Sequence, residues 1–290
     1  MFCEITLDSW MDSRKLLDRM KEKVGIWVFR GQGNKDWNLS TRFERDAERY
    51  GCTSYFYRNR ERYILREFQR RAHLFEQRLP DLSNSVEWLS YLQHYGGSTR
   101  LLDFTDSFYV AAFFAMETSI VDSAVWAVNI NSLTKSLKFD GLSGDSQLYE
   151  LIVQRHTEMA NACIASKEDG EDLVLLIDPF LQHDRLWVQQ GLFLFPCSRR
   201  SSFEKNLCAT FGLTFANLVN GNAGEIEMTG LGQVDFTDVS ILKIIILKTL
   251  HPKALYDLRD MNITPATLFP GLDGFARSLN LLMRRFEEFF

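Results

Sequence analysis

The sequence predicts an α+β fold in one domain, a mixed or antiparallel sheet with several surrounding helices. Three observations carry that expectation. Short β-branched and aromatic runs occur at residues 25–29, 123–130, 173–177, 191–196 and 241–247. Amphipathic stretches fall between them without the regular strand–helix alternation of a doubly wound sheet. The chain of 290 residues contains 23 phenylalanines and only six prolines, the composition of a large aromatic core.

The elements follow in order. Residues 13–22 read as a short charged helix leading into the strand at 25–29, and residues 37–43 as a turn. Residues 58–79 form a long amphipathic helix with Tyr63, Leu65, Phe68, Leu74 and Phe75 as its apolar positions and Pro80 as its stop. Ser83 and Asn84 open a second helix that closes near Gly96 and Gly97. Asp106 or Ser107 caps a third, and residues 147–167 and 253–290 are largely helical. The polar stretch 217–232 reads as a surface excursion.

A net charge of −5 argues against bulk electrostatic attachment to nucleic acid and leaves room for a local basic groove. No apolar run has the length of a membrane helix, and the N-terminus lacks the pattern of a signal peptide. Five irregularly spaced cysteines (Cys3, Cys52, Cys163, Cys197, Cys208) and histidines without ligand spacing predict a reduced, cytoplasmic protein with no metal site and no membrane partner.

Three segments carry chemistry. The first, Val28-Phe29-Arg30-Gly31-Gln32, ends an apolar strand in a guanidinium, whose planar donors suit carboxylate or phosphate. Gly31 permits close approach of a backbone or a ligand. The competing reading is an arginine that ion-pairs at a strand end. In the second, residues 93–105 read Gln-His-Tyr-Gly-Gly-Ser-Thr-Arg-Leu-Leu-Asp-Phe-Thr, a crowd of polar groups around buried Leu101 and Leu102. Such groups need partners, either in a functional site or in a capped loop where Asp103 holds Arg100 or backbone amides. The third, residues 184–196, places Gln189 and Gln190 before Gly191 at the mouth of a strand, as ligand contacts or as a hydrophilic strand entry. A basic, aromatic stretch with Arg58, Arg60, Arg62, Arg66, Arg70 and Arg71 among Tyr57, Tyr63 and Phe68 offers phosphate and stacking contacts to a nucleic acid, diluted by Glu61 and Glu67.

Together the three segments, with the closing Leu268-Phe-Pro-Gly-Leu-Asp-Gly-Phe-Ala, resemble the FRG domain family of bacteria and phages, from about residue 24 to about 280. Ser98 stands where that family usually has proline. A more remote similarity is to ADP-ribosyltransferases of the Arg-Ser-Glu type, with Leu192 where their catalytic glutamate belongs. That resemblance implies NAD as substrate and an ADP-ribosyltransferase-like sheet. Arg30 would grip the pyrophosphate, Ser98 or Thr99 with Tyr95 and Trp37 would flank the nicotinamide, and Gln190 would bind ribose. Asp103 or Asp184 would replace the missing carboxylate.

The catalytic candidates are therefore Arg30, His94, Asp103 and Gln190. The nucleotide-binding candidates are Phe29, Arg30, Gly31, Gln32, Tyr95, Ser98, Thr99, Arg100 and Gln189. The implied function is transfer or cleavage of ADP-ribose, by a toxin or a phage-defence effector acting on a nucleic-acid or protein acceptor. The alternative is a non-catalytic module of a bacterial conflict system that binds a nucleotide or nucleic acid.

Overall fold

Strand β4 (Ser123–Asn129) is buried along its whole length, which places it inside the sheet rather than at its edge. It pairs antiparallel with β2 (Trp27–Gln32) and with β8 (Ile241–Ile246). The computed structural model describes residues 1–24, 26–52, 54–136, 146–214, 228–229 and 236–280. Among them, eight strands form one mixed sheet in the order β5-β6-β3-β2-β4-β8-β1-β7, which bears out the expected fold class. The added strands are β1 (Phe2–Leu7), β3 (Leu102–Thr105), β5 (Val174–Ile177), β6 (Gly191–Pro196) and the two-residue β7 (Met228–Thr229). Only β8–β1 and β1–β7 are parallel.

Strand alternation sorts the core. Val28, Phe104, Trp126, Val128, Leu176, Leu192 and Leu194 share one face of the sheet. The other face divides into two clusters. Phe29, Val125, Ala127 and Ile244 pack with α1 (Asp12–Val24) and other helices in one cluster, while Leu175, Ile177, Phe193 and Phe195 lie in the second.

Helices α2 (Arg42–Arg49), α3 (Ser54–Arg71), α4 (Ser85–His94) and α5 (Phe108–Met116) lie between β2 and β4 in sequence. Ser107 caps α5, whose residues are almost all apolar and buried because the helix lies on β2. A Cβ added to Gly31 would overlap the carbonyl oxygen of Ala111 and lie 2.7 Å from the amide nitrogen of Ala115. The glycine of the Phe-Arg-Gly segment is therefore required by a helix backbone. Farther along the chain come α6 (Ile130–Ser136), α7 (Ser146–Ala165), α8 (Asp184–Val188) and α9 (Phe203–Thr210).

Several expectations need correction. The long basic helix stops at Arg71, followed by a 3-10 turn Ala72–Leu74, well before Pro80. The Glu76 carboxylate accepts the amide hydrogens of Gln77 and Arg78, a local alternative to helical bonds. Leu65 is buried, but Tyr63, Leu74 and Phe75 are exposed. Residues 37–43 are not all turn, since Thr41 and Glu44 form a capping box that starts α2. Strand β1 leaves no continuous apolar run in the sequence because Glu4 interrupts it; Glu4 pairs with Lys243 of β8 at 3.2 Å. Most of the expected excursion at 217–232, and the final ten residues of the chain, lie outside the described residues.

Two outcomes follow from this packing. Gly31→Ala forces α5 off β2 and lowers stability in denaturant unfolding by about 1–3 kcal/mol; an unchanged midpoint contradicts the close contact. Glu204 accepts the amide hydrogen of Leu39 at 2.7 Å, and burial pushes its carboxyl up to about 7. A carboxyl with a raised folded-state pKa favours folding most below its unfolded value, and that contribution is lost as pH rises to about 7. Glu204→Gln therefore raises the melting temperature at pH 8, and its advantage disappears below about pH 4.5; an equal difference at both pH values contradicts the assignment.

Candidate functional site

β2 and β3 share one bridge, Phe29↔Thr105, whereas β2 and β4 share six residue pairs. Beyond the bridge the two strands part, and Arg30 spans the gap. Its Nη1 donates to the carbonyl oxygen of Asp103 at 2.8 Å and lies 3.7 Å from the Asp103 carboxylate. The Nε of Arg30 is buried without a hydrogen-bond partner. Burial lowers the Arg30 pKa, and nearby Arg45 lowers it further against the opposing pull of Asp103.

The parting opens into a cleft of about 400 Å³. Its walls include Phe29, Arg30, Gly31, Gln93, His94, Asp103 and Gln189, so the structure brings together residues from all three sequence segments. The 93–105 loop is fixed by its own polar groups. Gly96, at φ 82°, turns the chain at the end of α4, and the amide of Gly97 bonds to the Leu92 carbonyl. Gln93 donates through Nε2 to Asp103 Oδ1 at 2.7 Å and accepts from the Thr99 hydroxyl. Thr105 Oγ1 donates to the Gln189 carbonyl at 2.7 Å, and Gln189 Nε2 donates to the Leu268 carbonyl at 2.8 Å.

Other candidates are placed elsewhere. Gln32 is buried, its amide bonded to the Asn38 carbonyl and the Trp126 indole. The Ser98 hydroxyl donates to Asp46. Arg100 is held by Glu61, not by Asp103: its Nε lies 2.5 Å from Glu61 Oε1, its Nη1 donates to the carbonyls of Pro196 and Cys197, and its guanidinium lies over the Phe195 ring. Tyr95 is exposed with its ring edge-on to His94, and Trp37 is exposed and outside the cleft lining. Leu192 is buried opposite Phe104 in the β3–β6 ladder, so position 192 faces the core. Gln190, at φ 48°, lines a separate hollow with Asp106 and Asp178. Burial and Asp178 push Asp106 up to about 6.

Four charged or titratable cleft residues are absent from the candidates drawn from the sequence. Arg42 and Arg45, one turn apart on α2, enter behind the capping box, and the short helix α8 brings His183 and Arg185. The Thr-x-x-Glu signature at residues 41–44 was the available signal for the first pair. Arg45 donates to the Ser40 carbonyl, Arg42 lies 3.6 Å from Asp46, and Arg185 lies over the Phe269 ring at 4.6 Å. On α3, by contrast, Glu67 engages both Arg70 and Arg71, and Arg62 donates to the Ala165 carbonyl.

Among the described residues, no group of three or more His, Cys, Asp or Glu side chains is arranged to hold a metal, and no helix is long and apolar enough to cross a membrane. The fold and site define a mixed-sheet α/β protein with a cationic cleft where the sheet parts. Residues 25–123 match the family model of the FRG domain. The match takes in Arg30, Arg42, Arg45, His94 and Asp103, and ends before α8. Neither the curated proteins nor the solved structures compared with the chain gave a match.

The two central arginines separate by experiment. Arg100→Ala removes the nearer of the two buried ion-pair partners of Glu61, leaving Arg199 Nε at 3.9 Å, and lowers stability by about 3–5 kcal/mol. Arg30→Gln removes a hydrogen bond at a half-open cleft and costs about 1 kcal/mol. Denaturant unfolding of both variants checks the contrast, and equal losses contradict it.

Proposed function

We propose that the chain binds the phosphates of a nucleotide in this cleft and that, with NAD as the nucleotide, it cleaves or transfers ADP-ribose. One observation supports the reading: Arg30, Arg42, Arg45 and Arg185 line a small cleft in which Asp103 is the one carboxylate among the lining residues. Guanidinium forks suit pyrophosphate oxygens, and a cleft of about 400 Å³ is of small-molecule size. Phe29 and Phe114 supply apolar surface for a ring. When the bond between ribose C1′ and nicotinamide breaks, the bonding pair leaves with nicotinamide and positive charge develops on the ribose. Asp103, oriented by Gln93, is the group to stabilise that charge. Water or an acceptor nucleophile then adds to C1′ and releases its proton.

Release of nicotinamide from NAD, followed with the full chain, tests the chemistry. Asp103→Asn is expected to slow it by about 10²–10³-fold. Arg30→Lys keeps the charge but loses the fork, and is expected to weaken ADP-ribose binding by about tenfold. Absence of nicotinamide release, together with no thermal shift on adding NAD or ADP-ribose, contradicts the reading. The alternative, non-catalytic binding of nucleic acid along α3, has less support because Glu67 already engages Arg70 and Arg71. Salt-dependent polynucleotide binding weakened by Arg66→Ala would favour it.

A further inference from the structure

Besides its guanidinium groups the cleft contains two imidazoles, whose constraints differ. His94 ends α4 and His183 caps α8; their rings stack with centroids 3.8 Å apart and planes 31° from parallel. His183 Nδ1 accepts the amide hydrogen of Leu186 at 3.1 Å. That bond keeps the lone pair on Nδ1 and the proton on Nε2, and protonating Nδ1 would set one N–H against another and break the cap. His94 has no such constraint, because its Nδ1 is buried without a hydrogen-bond partner. It is the ring of the pair that is able to take a proton.

Burial first, and then neighbouring positive charge, hold that proton off in the free cleft. Burial and Arg185 lower the His94 pKa, with Asp184 opposing. Burial, His94 and Arg185 bring His183 down to about 4, against Asp103 and Asp184. From the other walls come Arg30 of β2, Arg42 and Arg45 of α2, and Asp103 of β3, with the Tyr95 ring edge-on to His94 at 4.8 Å. An anion among these guanidinium groups cancels the potential that disfavours an imidazolium and gives its N–H an acceptor.

We propose that His94 takes up a proton when an anion occupies the cleft, so that ligand binding and protonation of His94 are one linked event, with His183 as the neutral positioning ring stacked against it. This rests on the anion site proposed above and adds its regulation. The sign follows from linkage. The His94 pKa is higher in the complex than in the free protein. Affinity is therefore greatest below the free-state pKa, falls as pH rises through the interval between the two values, and is flat above it. The fall is at most about tenfold per pH unit.

Histidine-ring NMR titration of the full chain tests this, with sulfate and ADP-ribose as probes, neither of which titrates between about pH 5 and 8; His94→Gln assigns the signal. Either probe is expected to raise the His94 midpoint by about one pH unit and to leave His183 neutral. His94→Gln should retain sulfate binding but lose its pH dependence. His183→Asn, which keeps a capping acceptor and removes the stacked ring, should reduce the shift of His94. Saturable binding with an unmoved His94 midpoint overturns the linkage and leaves the anion site standing. No binding of either probe overturns both.

Discussion

The site depends on one hydrogen bond that replaces a sheet ladder. Where β2 and β3 would continue pairing beyond Phe29 and Thr105, the Arg30 guanidinium reaches the Asp103 carbonyl instead. Parted strands expose backbone polar groups, which must find partners or water. A guanidinium meets that need from one strand while keeping other donors free. Gly31 adds the second condition, because only a residue without a Cβ lets α5 lie against β2 behind the parting. Arg30 and Gly31 thus serve opposite sides of the same strand, one opening a cleft and the other closing a core.

The cleft's electrostatics follow from where its charges are anchored. Arg100 is held within the core by Glu61 and two carbonyls, and so contributes rigidity to the 93–105 loop rather than charge to the cleft. Arg30, Arg42, Arg45 and Arg185 are tied only through part of their donor sets. Burial makes the Arg30 and Arg185 charges harder to hold, as their lowered pKa values register. An anionic ligand would relieve that cost, which is the physical basis of the proposed preference for phosphate over neutral compounds.

Much of this was legible in the sequence, for identifiable reasons. The strands at residues 191–196 and 241–246 are continuous apolar runs, whereas Phe29-Arg30-Gly31, which reads as a strand end, lies inside β2, and that strand continues to Gln32 along β4. What the sequence concealed was direction and distance. Gln189 and Gln190 are neighbours, yet the backbone turn at Gln190 places them in different hollows. Ser98, Thr99 and Arg100 sit amid the site's strongest motif, but their partners are Asp46, Gln93 and Glu61, from α2, α4 and α3. His183 and Arg185 reach the cleft through a helix of five residues, too short to leave a periodic signal.

The central claim is that the parted strands make an anion site with Arg30 at its head. A crystal structure of the full chain soaked with ADP-ribose tests it most directly. The account predicts a phosphate oxygen within hydrogen-bonding distance of the Arg30 Nε that now lacks a partner, with Arg45 or Arg185 on the same pyrophosphate. Pyrophosphate bound away from Arg30, or a cleft closed by the Asp103 side chain with no ligand in it, would contradict the account.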